Sequence, residues 1–160
     1  LPVERAAVAS IQSLPQVQVN AAAHSGEHGL EVMLPFLQTL AADFAIVPLV
    51  AGLTTGEDVA EVLRQLWGGP ETLIIISSDL SHYYDYETAV KLDKQTAEAI
   101  EQLWPDKLGR ESACGRFPIQ GLLLRAKEAG LQAVTADLCN SGDTVGNKDR
   151  VVGYGAFLFG

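Results

Sequence analysis

Two continuous apolar runs, residues 44–51 and 73–76, constrain the fold of this chain more than any other feature of its sequence. Neither run alternates apolar with polar residues, which is typical of strands buried on both faces of a sheet. Between them, residues 56–67 show helical periodicity and are followed by Gly-Gly-Pro. Because a connection through a helix makes two neighbouring strands parallel, the runs predict adjacent parallel strands.

Helical and strand patterns alternate along the rest of the chain. Apolar periodicity predicts further helices over residues 6–14, 30–40, 86–104 and 117–129, and further strands over residues 133–138 and 151–159. This order predicts an α/β fold with a mostly parallel central sheet that helices cover on both faces. The 160 residues contain no long linker and no internal repeat, so we expect one α/β domain over residues 1–160.

The composition excludes several classes of protein. Twenty acidic and eleven basic side chains give a net charge of -9, which argues against binding to nucleic acid or to an anionic membrane. The longest apolar stretch, residues 44–53, is shorter than the roughly 20 residues of a membrane-spanning helix. Two cysteines without a Cys-x-x-Cys pair make no disulfide framework, so we expect a cytoplasmic protein.

A polar segment, residues 77–82, follows the second apolar run and is the first place to expect chemistry. Ligands of α/β sheets bind beyond the carboxyl ends of the strands. Asp79 and His82 are close enough in sequence to converge on one ligand or metal, or His82 acts as a general base. The alternative is that Asp79 or Ser81 caps a helix and His82 packs against aromatic neighbours. A triad with Ser77 is less favoured, because no Gly-x-Ser-x-Gly motif is present.

The two cysteines receive different interpretations. Cys114 precedes a glycine at the start of a predicted helix, where a thiol has a lowered pKa and acts as a nucleophile or metal ligand. The alternative for Cys114 is a small buried apolar side chain. Cys139 ends a predicted strand without polar neighbours, and we expect it in the core.

A second polar group precedes the predicted helix over residues 30–40 and contains His24, Glu27, His28 and Glu31. If this segment is helical, the two histidines share one face and the two glutamates another. A metal-binding pair is one interpretation. An exposed position on the surface is the alternative for His24, whereas Glu27 and His28 adjoin a strongly apolar run.

Several segments in order resemble the motifs of one family. They are Glu-His-Gly-Leu-Glu-Val at residues 27–32, Ile-Val-Pro-Leu-Val at 46–50, Ser-Ser-Asp-Leu-Ser-His-Tyr at 77–83, Cys-Gly-Arg-Phe-Pro-Ile at 114–119 and Gly-Tyr-Gly-Ala at 153–156. Together they resemble the Memo-like family, also called AmmeMemoRadiSam system protein B. The match is to the C-terminal part of that family. Its early Pro-His-Ala-Gly and Gly-x-x-His segments do not occur in this sequence, so we expect that the N-terminal half of the domain is missing here.

The resemblance implies a fold and a site. The family is similar to class III extradiol ring-cleavage dioxygenases, and its members hold iron or copper with two histidines of the N-terminal half and the motif cysteine. Carried over, Cys114 is a metal ligand, Asp79 is a catalytic or ligating carboxylate, and His82 is the acid/base group and a candidate ligand. Glu27 and His28 are expected on the wall of the pocket. In this chain alone we expect iron or copper to be bound weakly or to be absent.

The implied function is a metal-dependent oxidoreductase with a small-molecule or peptide ligand. One alternative is a non-enzymatic module that binds peptides or acts as an adaptor. Another is an assembly partner in a radical-SAM system, whose expected partners are a radical-SAM protein and an AMMECR1-like protein.

Overall fold

The computed structural model describes residues 1–41, 43–144 and 146–160, which form an α/β fold of six α-helices, three strands and two short 3-10 helices. The α-helices are α1 (Arg5–Ile11), α2 (Ala21–Ser25), α3 (Gly29–Leu40), α4 (Gly56–Leu66), α5 (Tyr86–Glu101) and α6 (Arg116–Ala129). The strands are β1 (His82–Tyr84), β2 (Ala133–Asn140) and β3 (Val151–Phe159), and the 3-10 helices span Pro105–Lys107 and Ser141–Asp143. None of these helices has the length and the apolar composition that crossing a membrane requires.

The three strands form an antiparallel sheet in the order β1-β3-β2. β2 and β3 follow one another in the chain and pair along their length, from Ala133 opposite Phe159 to Asn140 opposite Gly153. A short connection of this kind returns the chain in the opposite direction, which only antiparallel pairing allows. The sheet of the described residues is therefore antiparallel, and the predicted mostly parallel sheet is not seen among them.

The two apolar runs that predicted parallel strands belong to no strand of the described residues. Ile46 alone forms a bridge, parallel to Val3, in which the Glu4 N–H donates to the Ile46 carbonyl at 2.9 Å. Residues 73–76 have no ladder partner among the described residues. Ile75, which the pattern places in the core, is 38% exposed. An apolar sequence makes a buried strand only where a neighbouring strand accepts its hydrogen bonds, and the described residues supply none here.

The helices agree better with the sequence because local signals define their ends. α4 begins at a capping box, in which the Thr55 hydroxyl accepts from the Asp58 N–H and the Asp58 carboxylate accepts from the Thr55 N–H. α5 is predicted to reach residue 104 but ends at Glu101. The residue before a proline is disfavoured in helical conformation, and Trp104 precedes Pro105.

The core lies between α5, α6 and the sheet. Its buried members are Leu80, Ala99, Ile100, Leu108, Ala113, Ile119, Leu123 and Ala133. α4 packs on α6, and α5 packs on β2 and β3. The expectation that Cys139 belongs to this core is wrong, because Cys139 is exposed. Among the described strands, its strand β2 lies at the edge of the sheet beside β3, and it faces outward at this position.

Candidate functional site

Loop 77–82 is attached to the packed part of the molecule at its C-terminal end. The Leu80 N–H donates to the Gly153 carbonyl at 2.9 Å, and the Gly153 N–H donates to the Ser81 carbonyl at 2.8 Å. His82 then begins β1, opposite Val152 of β3. The backbone beside His82 is therefore held by β3.

Asp79 and His82, the predicted catalytic pair, lie side by side. His82 Nε2 is 3.4 Å from Asp79 Oδ2, and the two side chains are 32% and 49% exposed. Both groups thus face a surface that a ligand can reach. The structure brings this pair together as the spacing in the sequence led us to expect, and its catalytic role stays a prediction.

Cys114 lies against the same loop, and Ser78 links the two segments. The Ser78 hydroxyl donates to the Asp79 carbonyl at 2.7 Å and accepts from the Gly115 N–H at 2.8 Å. Cys114 Sγ is 3.4 Å from Ser78 Oγ and 3.8 Å from the Asp79 carbonyl oxygen. The thiol is exposed. The start of α6 therefore presents a thiol beside the backbone of Asp79.

The glycine after Cys114 permits this close approach. A Cβ at Gly115 would lie 2.7 Å from the Cβ of Ser78, a separation that real Cβ atoms essentially never show. A side chain at this position would push Ser78 and Cys114 apart. Gly115 therefore serves the contact between two segments as well as the start of α6.

The start of α3 also adjoins the loop. Glu27 Oε1 accepts from the Gly29 N–H at 2.8 Å, and a Cβ at Gly29 would lie in ordinary contact, at 3.5 Å, with Ser77 Oγ. His28 is the exposed residue before α3, and His24 is exposed in α2. The structure thus places Gly29, which directly follows Glu27 and His28 in the sequence, beside the loop. Their place on a pocket wall stays a prediction.

Tyr83 is an extra residue in the pairing of β1 with β3. Three residues of β1 oppose two of β3, and Tyr83 has φ of 62°, in the left-handed region that non-glycine residues rarely adopt. Its ring meets the His82 ring edge to face at 5.7 Å, and the Arg150 guanidinium lies 5.0 Å from its centroid. Bulges often redirect side chains next to functional sites. Here the bulge flanks His82.

The donor types at this surface suit iron or copper, but the described residues do not fit a complete metal centre. Thiolate, imidazole and carboxylate are ligands of these metals. However, no group of three or more His, Cys, Asp or Glu side chains within residues 1–41, 43–144 and 146–160 is arranged to hold one ion. A cleft of about 460 Å³ beside Trp104 is lined by none of the predicted site residues. The site is an open surface with part of a ligand set.

Asp93, which no sequence motif singled out, is 2% exposed on the inner face of α5. Asp93 Oδ1 accepts from the Ser81 N–H at 2.9 Å. Burial raises the pKa of Asp93, and the Ser81 hydrogen bond and the charge of His82 oppose that rise. The signal for its burial is in the sequence, because Ala89, Asp93 and Ala97 recur at the four-residue spacing of a single helix face.

Comparison with known proteins supports the family resemblance of the sequence motifs. The family model described as Memo-like protein matches residues 2–158. A MEMO1 family protein of Saccharolobus solfataricus is 39% identical over 151 residues, which cover 86% of this chain and 53% of that relative. A MEMO1 family protein of Methanosarcina mazei is 37% identical over 148 residues, 84% of this chain and 55% of that relative. The chain thus spans about half the length of the curated relatives that it matches. With a match along nearly its whole length, this chain belongs to the Memo-like family.

Proposed function

We propose that this chain supplies part of the active site of a metal-dependent oxidoreductase of the extradiol dioxygenase-like superfamily. Two observations carry the proposal: exposed Cys114 contacts Ser78 and the Asp79 carbonyl, and the Asp79 carboxylate lies 3.4 Å from His82. These are three chemically distinct groups drawn from two segments that are far apart in sequence. Membership of the Memo-like family supports the same assignment.

Cys114 and Asp79 are the proposed donors to iron or copper, with His82 as a further candidate. Because the described residues do not complete a ligand set, the proposal requires additional donors from outside these 160 residues. A metal bound there would supply redox or Lewis-acid chemistry. Glu27 and His28 belong to the proposed wall, beside the start of α3.

The residues of this chain position a proton acceptor and a thiol. Asp79 Oδ2 lies 3.4 Å from His82 Nε2, so the carboxylate is placed to orient the imidazole. The hydrogen bond from the Gly115 N–H to Ser78 orients the hydroxyl beside the Cys114 thiol. His82 is therefore the proposed acid/base group for the bound ligand.

The proposal includes the setting of the site. In the complete domain, residues 44–51 and 73–76 pair within a parallel, extradiol dioxygenase-like sheet. The protein acts in the cytoplasm on a small-molecule or peptide ligand, beside radical-SAM and AMMECR1-like partners. The continuous apolar sequence of both segments, which form no strand within the described residues, supports the first of these statements.

The test is a titration with iron and with copper of the 160-residue chain and of a longer form with the length of its relatives. Cys114→Ser is the test variant, and Cys139→Ser is the matched control, since both thiols are exposed. We expect weak binding by the short chain and tight binding by the long form, which Cys114→Ser removes and Cys139→Ser preserves. Equal binding by the long form without the Cys114 thiol would show that this residue is not a ligand. If no form binds metal but a peptide ligand is bound, the adaptor alternative is correct.

A further inference from the structure

Asp93 is a buried carboxylate without a cationic partner among the described residues. It is 2% exposed, and no Lys, Arg or His within the described ranges approaches it to ion-pair distance. Burying a charge in this way is costly unless the group makes compensating hydrogen bonds. Asp93 Oδ1 accepts a hydrogen bond at 2.9 Å from the N–H of Ser81, the residue before His82.

β3 leaves room for this carboxylate. A Cβ at Gly153 would overlap the Asp93 carboxylate, so the glycine is required for the approach. The same Gly153 exchanges backbone hydrogen bonds with Leu80 and Ser81, at 2.9 and 2.8 Å. Ser81 is therefore held from β3 through its carbonyl and from α5 through its N–H.

The Ser81 hydroxyl does not help to hold the loop. Ser81 is fully buried, and its Oγ has no hydrogen-bond partner among the described residues. The side chain of α5 thus reaches the backbone of the loop, whereas the side chain of the loop residue makes no such bond. Removing Asp93 would leave the buried Ser81 N–H without a hydrogen-bond partner, in addition to the Ser81 hydroxyl.

Thr96, on the same helix, shows how a buried polar residue of α5 behaves without a link to the loop. Thr96 is 3% exposed, and its hydroxyl donates to the Leu92 carbonyl of its own helix at 3.0 Å. Asp93 instead bonds outside its helix, to the residue next to the proposed acid/base group.

We infer that Asp93 is a positioning residue for His82, acting through the Ser81 N–H. Gly153, which has no side chain, leaves the space that the Asp93 carboxylate occupies. The inference rests on the proposed function of His82. It assigns to α5 a direct part in the geometry of the site.

NMR of the histidine rings tests this inference. The chain has three histidines, of which His24 and His28 are exposed and serve as internal references for a solvated ring. His82→Gln assigns the third signal. Asp93→Ala removes the acceptor, Asp93→Asn keeps a neutral acceptor of the same shape, and Thr96→Val is the matched control for loss of a buried polar group on α5.

We expect the His82 signal to stay separate in the Asp93→Asn and Thr96→Val proteins. In Asp93→Ala we expect it to move towards the signals of His24 and His28, while the amide signals of β2 and β3 keep their positions. An unchanged His82 signal in folded Asp93→Ala would overturn the inference. So would an equal movement in Thr96→Val.

If Asp93→Ala does not fold, Asp93→Asn decides. Loss of the separate His82 signal in that variant would show that a neutral acceptor does not hold the loop, which contradicts the hydrogen bond as the cause. Retention of the signal, with slow exchange of the Ser81 amide proton, supports it. The ring signals are recorded on the metal-free protein, so a failure of the metal titration remains distinguishable from a failure of this inference.

Discussion

Two regions of the molecule differ in how well their apolar residues are packed. The packed part, residues 56–67 and 80–160, contains the core between α5, α6 and the sheet. In the open part, residues 12–55 and 68–79, no described residue is buried. This holds although α3 consists mainly of apolar residues, among them Phe36 at 72% and Leu40 at 85% exposure. Apolar composition alone therefore does not create burial, because a second layer must cover it.

The candidate site lies where the two parts meet. His82 and Cys114 belong to the packed part, and Asp79 is the last residue of the open part. His82 is held through β3 and Asp93, whereas the contacts of Asp79 within the described ranges are with Ser78, Cys114 and His82. One side of the site is thus fixed by the core of this chain, and the other side is exposed.

The largest contrast is expected from truncation of one apolar side chain in each part. Leu123 is fully buried in α6, so Leu123→Ala should lower the free energy of unfolding by about 2–5 kcal/mol. Phe36 is 72% exposed, so Phe36→Ala should change it by less than about 0.5 kcal/mol. Urea unfolding followed by circular dichroism measures both. A loss for Phe36→Ala comparable to that for Leu123→Ala would show that α3 is packed in solution.

A smaller contrast is expected from the helix caps. Thr55 caps α4, which packs on α6, so Thr55→Ala should cost about 1 kcal/mol in urea unfolding. Asn20 caps α2 by accepting from the Ala23 N–H, but α2 contains no buried residue. Asn20→Ala should therefore leave the unfolding midpoint unchanged. Equal losses in the two variants would contradict the division into a packed and an open part.

How far the sequence predicts this structure depends on whether the signal is local. The start of α4 and the end of α6 follow from Thr55 and Asp58 and from Gly130, which has φ of 70°. Pairing of residues 44–51 and 73–76 depends on partners elsewhere, which a local pattern cannot identify. Those two runs therefore predicted a parallel pairing that is not seen among the described residues.

The residues of the site show the same difference between local and long-range signals. The short spacing of Asp79 and His82 made their approach predictable. Cys114 was joined to them only by resemblance to a family, since the contact through Ser78 spans 36 residues of sequence. Asp93 was missed because helical periodicity shows that a position is buried but not which loop its carboxylate contacts.

The smallest effects are expected in the pH dependence of stability, where two carboxylates of the packed part have opposite signs. Hydrogen bonds from Thr55 lower the pKa of Asp58 from 3.8, so its contribution is present above that value and is lost as the pH falls through the folded-state pKa. Burial raises the pKa of Asp93 from 3.8, so the folded state is favoured as the pH falls through that raised value towards 3.8.

Urea unfolding between about pH 3 and about pH 7 measures both slopes. Wild-type protein should lose stability in acid relative to Asp58→Asn. Any advantage of Asp93→Asn over wild type should be largest near neutrality and shrink in acid. The stability difference between wild type and each variant should thus change with pH in opposite directions for Asp58→Asn and Asp93→Asn. A change in the same direction would contradict the burial of Asp93 or the capping role of Asp58.

Hydrogen exchange of single amides tests most directly whether the site joins a fixed side to an open one. The amides of Leu80, Ser81 and Gly153 donate to Gly153, Asp93 and Ser81, so they should exchange only with global unfolding. Residues 73–79 donate no backbone hydrogen bond to another described residue, and their amides should exchange at rates close to those of an unfolded chain. Slow exchange of residues 73–79, equal to that of Leu80, would contradict the division on which this description of the site depends.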